Sequence, residues 1–227
     1  MKTNKQITRI SLQNSETITD QLAIETEFDF IVNGKNEYTF FCSPENVEYL
    51  AIGYLYTHNK ILSSKDIKTL DIKNKKISVE IFESLQTENI DNEEVTFSLA
   101  LIKKSIKELN QKGDIFHATG CTHICGLLKE NSIICYFEDI SRHNAIYKTL
   151  GYGIQNNISL RDCALLLSCR ITASIIDLVS ATPVKVLCSQ SAVSSLAVDK
   201  AKKAGKSVLG FIRQERVNLY TGNQRII

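Results

Sequence analysis

The amino-acid sequence predicts an α/β fold with a smaller β-rich N-terminal part. Two features carry that expectation. In the C-terminal half, apolar runs alternate with amphipathic stretches, as ALLLSC, TASIIDLVSA, VKVLCS, SSLAVDKAKKAG and SVLGFIR follow one another. Strand–helix–strand alternation at this spacing predicts right-handed crossovers and a largely parallel sheet. In the N-terminal half, strand-like runs are separated by turn residues, with one helical pattern among them. The expected division is residues 1–95, β-rich with one helix, and residues 96–227, the α/β part.

Taken in order, ITRISLQ and EYTFFC have strand composition, and Asn33-Gly34 between DFIV and EYTFF predicts a hairpin turn. Ser43-Pro44-Glu45 reads as the start of a helix, with Ser43 at the cap and Val47, Leu50, Ala51, Tyr54 and Leu55 on one face. IKTLDI and KISVEIF form a second pair of strands around Lys73-Asn74-Lys75. Residues 84–95 are polar and acidic, the composition of a linker or mobile loop. Residues 97–111 predict an amphipathic helix closed by Gly113 at C′. CGLLKENSIICYFED reads as two strands around a turn, RHNAIYKTLGYGI as a helix after Ser141, and VNLY as a last strand.

Of the 227 residues, 43% are hydrophobic and 23% charged, and the net charge is +2. Such a balance gives no broad basic field for nucleic acid or for an anionic membrane, so neither is an expected partner. The stretch MKTNKQITRISLQNSETITD has no apolar core of a secretory signal, and no run is long enough to span a bilayer. The expected location is the cytoplasm. There a disulfide framework among the seven cysteines is not expected. Cys135, Cys163 and Cys188 lie in apolar runs and read as small core residues.

Three clusters can carry chemistry. The first is Cys121-Thr122-His123-Ile124-Cys125, where two thiols and an imidazole share five residues. Thiols four apart can meet on a helical turn or across a loop. As a structural zinc site the set is incomplete: a second ligand pair is missing, and His117 is the only other nearby candidate. The zinc-deaminase pattern is absent, and the spacing is one residue longer than a thioredoxin-type pair. A sulfur-handling nucleophile, an open three-ligand metal site at Cys121, His123 and Cys125, and plain packing all remain readings of this cluster. The second runs from Glu138 to Ala145. There Arg142 can pair with a phosphate at a helix N-terminus and His143 can act as acid, base or ligand contact; a capped, salt-bridged helix start is the structural alternative. The third, Phe211-Ile212-Arg213-Gln214-Glu215-Arg216, follows an apolar strand and offers two guanidiniums and a ring for stacking. Ser189-Gln190-Ser191 ends the strand before it, and ligands in such sheets gather at strand ends.

Five blocks resemble, in order, those of the FdhD/NarQ family of formate dehydrogenase accessory proteins. EDISRHNA resembles E-D-x-G-R-H-N-A, and TGCTHICG resembles T-G-G-x-H-x-A. CSPENVEYLAIGYLYTHNKILSSKDI resembles C-x-P followed by L-A-x-G-F-L. SAVSSLAVDKAKKAG resembles S-A-P-T-S-L-A-V, and LGFIRQERVNLYT resembles G-F-x-R followed by N-x-Y-T. The resemblance runs from about residue 5 to residue 227. It implies a cytidine-deaminase-like three-layer α/β domain, usually in a homodimer. It also implies a sulfurtransferase-like sulfur carrier that takes persulfide sulfur from a cysteine desulfurase. The implied recipient is the molybdenum or tungsten bis(molybdopterin guanine dinucleotide) cofactor of formate dehydrogenase, bound as a client with no permanent cofactor expected. By resemblance, Phe211, Ile212, Arg213, Gln214, Glu215 and Arg216 contact the cofactor, and Arg142, His143 and Asn144 line the same cleft.

The chain departs from the family pattern where sulfur is usually carried. The family's R-x-x-x-C-G-x-C-G loop is missing, since residues 84–116 contain no cysteine. Ser141 replaces a Gly, Tyr147 replaces an Asp, and Val193-Ser194 stand in place of Pro-Thr. Either the chain is a cofactor-binding chaperone without thiol chemistry, or Cys121 and Cys125 have taken over, with Cys121, which replaces a loop Gly beside His123, as the persulfide bearer and Cys125 as resolving thiol or second acceptor.

Overall fold

The computed structural model describes residues 1–82, 95–213 and 215–227. The proposed linker of residues 84–95 and Gln214 therefore lie, apart from Val95, outside the described residues. The chain opens with a hairpin of β1 (Lys2–Ile10) and β2 (Ser15–Ala23). A four-stranded sheet follows, ordered β4-β3-β6-β5, from β3 (Thr26–Val32), β4 (Lys35–Cys42), β5 (Ile67–Lys73) and β6 (Lys76–Ile81), with helix α1 (Val47–Thr57) inserted between β4 and β5. Asn33 and Gly34 both take positive φ, 48° and 74°, as a two-residue turn between twisted strands requires.

The second part holds α2 (Leu99–Gln111), α3 (Asp114–Thr119), β7 (His123–Lys129), β8 (Ser132–Asp139), α4 (Arg142–Gln155), β9 (Cys163–Leu167), α5 (Ala173–Ser180), β10 (Val186–Ser189), α6 (Ser195–Lys203), β11 (Ser207–Gly210) and β12 (Asn218–Thr221). Its six strands form one sheet in the order β12-β11-β10-β9-β7-β8. The sheet is mixed, which corrects the expectation of a largely parallel one: β9, β10 and β11 run parallel, while β12 pairs antiparallel with β11, and β7 with both β8 and β9. Only the strands linked through α5 and α6 have the crossover that parallel pairing needs.

Both faces of this sheet are covered, giving three layers. Side chains alternate from face to face along a strand. Cys163, Leu165, Leu167 and Leu187 join one apolar cluster with α4, α5 and α6, whereas Ala164, Leu166, Val186 and Cys188 join another with Ile102, Ile106 and Leu109 of α2. The first cluster continues through α1 to Phe30, Phe40 and Ile77 of the four-stranded sheet. Helix α1 lies between that sheet and α4 and is buried nearly all round, not on the single face its spacing suggests. Its approach to α4 rests on two glycines. A Cβ on Gly53 would overlap the backbone of Tyr147, and one on Gly151 the backbone of Tyr49.

Three expected boundaries move. Ser43 does not cap α1. It is 1% exposed, its N–H donates to Asp139 Oδ2 (3.1 Å), and its carbonyl accepts from Lys148 Nζ (2.9 Å), while Asn46, in a left-handed conformation, precedes the helix. Gly113 does not close α2 in a left-handed conformation. It has φ −80° and leads into α3, an element too short to show a period in sequence. The apolar run SVLGFIR leaves the sheet at Gly210, because Phe211 takes φ 49° and its N–H donates to Ser191 O (2.9 Å).

Asp139 and Lys148 form a fully buried ion pair at 2.7 Å, 0% and 1% exposed. Asp139 Oδ1 also accepts from the Ser141 N–H (3.0 Å) and from Asn144 Nδ2 (3.2 Å). Each oxygen thus has two donors, which is what makes a buried charge tolerable. Lys148→Met leaves that carboxylate buried without its cation. Denaturant unfolding should register a loss of about 3–5 kcal/mol; a loss below about 1 kcal/mol would contradict the role given to the pair.

Candidate functional site

One end of the six-stranded sheet gathers the predicted residues. There β9 and β10 end, β7 begins, and α4 starts directly after β8. Ile124 N–H donates to Ser168 Oγ (3.0 Å) and Ser168 N–H to Ile124 O (3.0 Å), so the entry of β7 is tied to the exit of β9. Ser189 Oγ donates to Cys169 O (2.6 Å) and Ser191 Oγ to Ser168 O (2.8 Å), which ties in the end of β10.

Three cationic or titratable groups face this edge together. His123 is half-buried, and its imidazole is held below the ordinary value by burial first, then by the positive charges of Arg142 and Arg170. His143 is lowered by burial and by Arg142, and its Nε2 lies 3.2 Å from Ser174 Oγ. The Nε of Arg142 is buried and has no hydrogen-bond partner among the described residues. Burial and the neighbouring guanidiniums thus favour the neutral form of both imidazoles. Arg170 and Ser168 were not singled out in the sequence, although both immediately follow the apolar run of β9, where the strand-end rule places ligands.

The two cysteines of the first cluster separate. Cys125 is 1% exposed inside β7 and points into the first apolar cluster; burial pushes its thiol well above the usual range. Cys121 precedes β7 and is exposed, whereas Cys42, Cys125, Cys135, Cys163, Cys169 and Cys188 are all buried. Burial likewise pushes Cys42, Cys135 and Cys163 up to about 12 and Cys169 to about 11. Four residues of near-extended chain span about 13 Å, so these two thiols do not meet on one helical turn. Among the described residues no group of three His, Cys, Asp or Glu side chains is placed to hold a metal ion, which removes the geometric basis for a site at Cys121, His123 and Cys125.

Glu138 builds the loop that carries Cys121. Its Oε2 accepts from the Ile115 N–H (3.0 Å) and its Oε1 from the Phe116 N–H (2.9 Å), the open first turn of α3. The same Oε1 accepts from Thr122 Oγ1 (2.7 Å). At the other end of α3, Gly120 takes φ 68° as its left-handed cap, and the Cys121 N–H donates to Thr119 Oγ1 (3.2 Å).

The remaining predicted residues divide by exposure. Asn144 is 6% exposed and spends its amide on Phe41 O (2.9 Å) and Asp139. Ile212 is 3% exposed and packs with α2 in the second cluster. Arg213 and Arg216 are exposed, as is Glu215, and the two guanidiniums stand 5.8 and 4.4 Å from the centre of the Phe211 ring.

Arg142 lowers both imidazoles, so Arg142→Gln should raise the titration midpoints of His123 and His143 while burial keeps them below 6.5. An unfolded histidine binds its proton at about 6.5 and these two bind theirs lower, so their contribution to stability is full above that pH and is lost as pH falls from there through their lower folded values. Nitrogen-detected NMR titration of the imidazoles reads the midpoints, and unchanged values in the variant would contradict the assigned cause.

The chain is 28% identical over 238 residues to a sulfur carrier protein FdhD of Bacillus pumilus, covering 92% of this chain and 91% of that protein. It is 29% identical over 239 residues to the one from Staphylococcus aureus, with 92% and 90% covered. For Listeria monocytogenes the values are 26% over 255 residues, with 98% of each chain covered. The crystal structure of a chain assigned as a formate dehydrogenase accessory protein from Desulfotalea psychrophila superposes with a TM-score of 0.87 at 24% identity, covering 100% of this chain and 99% of that one, and so shares its fold. The family model described as the FdhD/NarQ family matches residues 23–94 and 82–227. On that match, the chain belongs to the FdhD/NarQ family.

Proposed function

We propose that this protein is an accessory sulfur carrier in which Cys121 bears the sulfur. The reading rests on one observation: of seven cysteines only Cys121 is exposed, and it stands two residues before His123, at the edge that holds Arg142 and Arg170. Exposure decides because the thiolate is the attacking species and burial suppresses it. In the loading step, the Cys121 thiolate attacks the outer sulfur of a persulfide on a cysteine desulfurase. A new S–S bond forms on Cys121, the donor's S–S bond breaks, and the donor leaves as a thiolate carrying the bonding pair. The outer sulfur then passes to the client as the S–S bond on Cys121 breaks, Cys121 leaving as a thiolate with the bonding pair and the reduced client metal supplying the two electrons that take the sulfur to sulfide.

The client in this reading is the molybdenum or tungsten bis(molybdopterin guanine dinucleotide) of a formate dehydrogenase, held as cargo. Its phosphates suit Arg142, whose buried Nε lacks a partner among the described residues, and the exposed Arg213 and Arg216; its guanine suits the face of Phe211. Asn144 and Ile212 serve by holding the backbone that presents these groups. Cys125 is packing in this account, not a second acceptor. A homodimer is part of the proposal by family likeness alone.

In a strain lacking its own copy of the gene, Cys121→Ser should leave formate dehydrogenase inactive, while Cys125→Ala restores activity to within about twofold. Full activity with Cys121→Ser would leave the competing reading, a cofactor chaperone without thiol chemistry. For the cleft, guanosine diphosphate binding measured by calorimetry should survive Cys121→Ser and weaken about tenfold in Arg216→Ala, the loss of one charge-assisted contact; equal affinity in both variants would remove Arg216 from the cleft.

A further inference from the structure

The segment from Ile115 to Thr122, most of α3 and the turn that follows it, is held at both ends by one side chain. The carboxylate of Glu138 takes the N–H groups of Ile115 and Phe116 at its start and the hydroxyl of Thr122 at its end. Between these anchors, Thr119 Oγ1 donates to Ile115 O (2.7 Å) and accepts from the Cys121 N–H, so the residue before the closing anchor is held as well. Glu138 is 8% exposed and Thr122 2%, whereas Cys121, directly beside Thr122, is exposed. The segment therefore has a hydrogen-bonded floor and ends in an exposed thiol.

We infer that Glu138, acting through Thr122, is the positioning residue that aims the Cys121 sulfur at its reaction partners. The inference rests on the sulfur-carrier reading for its consequence, though not for its geometry. Attack at sulfur proceeds in line with the S–S bond that breaks, so a thiol with a fixed direction meets a protein-bound persulfide productively more often than one on a swinging loop. Three donors converging on one buried carboxylate give that direction at the cost of no mobile element. The arrangement also separates two tasks: Glu138 does not touch the reacting atoms, and Cys121 does not contribute to the core.

The test uses Thr122→Val, which removes the hydroxyl at nearly constant volume, Thr122→Ser, which keeps it, and Glu138→Gln. Two quantities are read: the rate of sulfur transfer from a persulfide-loaded cysteine desulfurase, and the fluorine NMR linewidth of a trifluoroacetonyl group attached to Cys121. Transfer should fall about tenfold or more in Thr122→Val and Glu138→Gln and return in Thr122→Ser. The label should sharpen in the first two as the loop gains motion, while the rate of alkylation by iodoacetamide stays within about twofold of wild type, because an exposed thiol needs no aim toward a small reagent. Wild-type transfer in Thr122→Val overturns the inference, and so does slow transfer with an unchanged linewidth. If the wild-type protein accepts no sulfur on Cys121 but the label still sharpens in Thr122→Val, the clamp stands and the sulfur-carrier reading fails.

Discussion

Two adjacent carboxylates at the end of β8 hold the site together. Successive side chains on a strand point to opposite faces, so Glu138 and Asp139 reach different layers of the molecule from neighbouring positions. Asp139 goes inward to Lys148, Ser43, Ser141 and Asn144, joining the end of the four-stranded sheet to the start of α4. Glu138 goes the other way, to α3 and Thr122. One dipeptide thereby fixes both the helix start that carries Arg142 and His143 and the loop that carries Cys121. The buried ion pair need not add stability over an apolar pair of equal volume. What it adds is a single mutual placement of three chain segments distant in sequence.

The same constraint explains why the function-bearing groups were partly legible in the sequence. Strand and helix alternation after residue 163 was readable because β9, β10 and β11 are wholly buried and appear as short apolar runs. The pairing direction was not, since β7 and β8 precede the crossover units and their place beside β9 is set by packing, not by local pattern. The second strand of the first hairpin was hidden for a simpler reason: SETITDQLA has no buried position and so shows no apolar face. Ser43 looked like a helix cap because its side chain favours that role locally; Asp139, 96 residues away, claims its backbone instead.

Among the candidate residues, type alone could not tell a nucleophile from a core atom. Cys121 and Cys125 share a motif, yet one side of it lies in a loop and the other inside a strand whose face is the core. Burial then sorts the thiols, and the field of Arg142 and Arg170 marks which edge of the sheet suits an anion. Arg142 itself was visible as a basic residue at a helix start. Lys148, set among the buried residues of α4, is a further signal in the sequence, for a buried cation there demands a carboxylate nearby.

In the proposed function the Sγ of Cys121 is the atom that receives sulfur. The most direct measurement is peptide mapping by mass spectrometry after incubation with a cysteine desulfurase and cysteine. One added sulfur on the peptide containing Cys121, lost in Cys121→Ser, is the predicted result. Added sulfur on any of the six buried cysteines with none on Cys121, or no added sulfur anywhere, would contradict it.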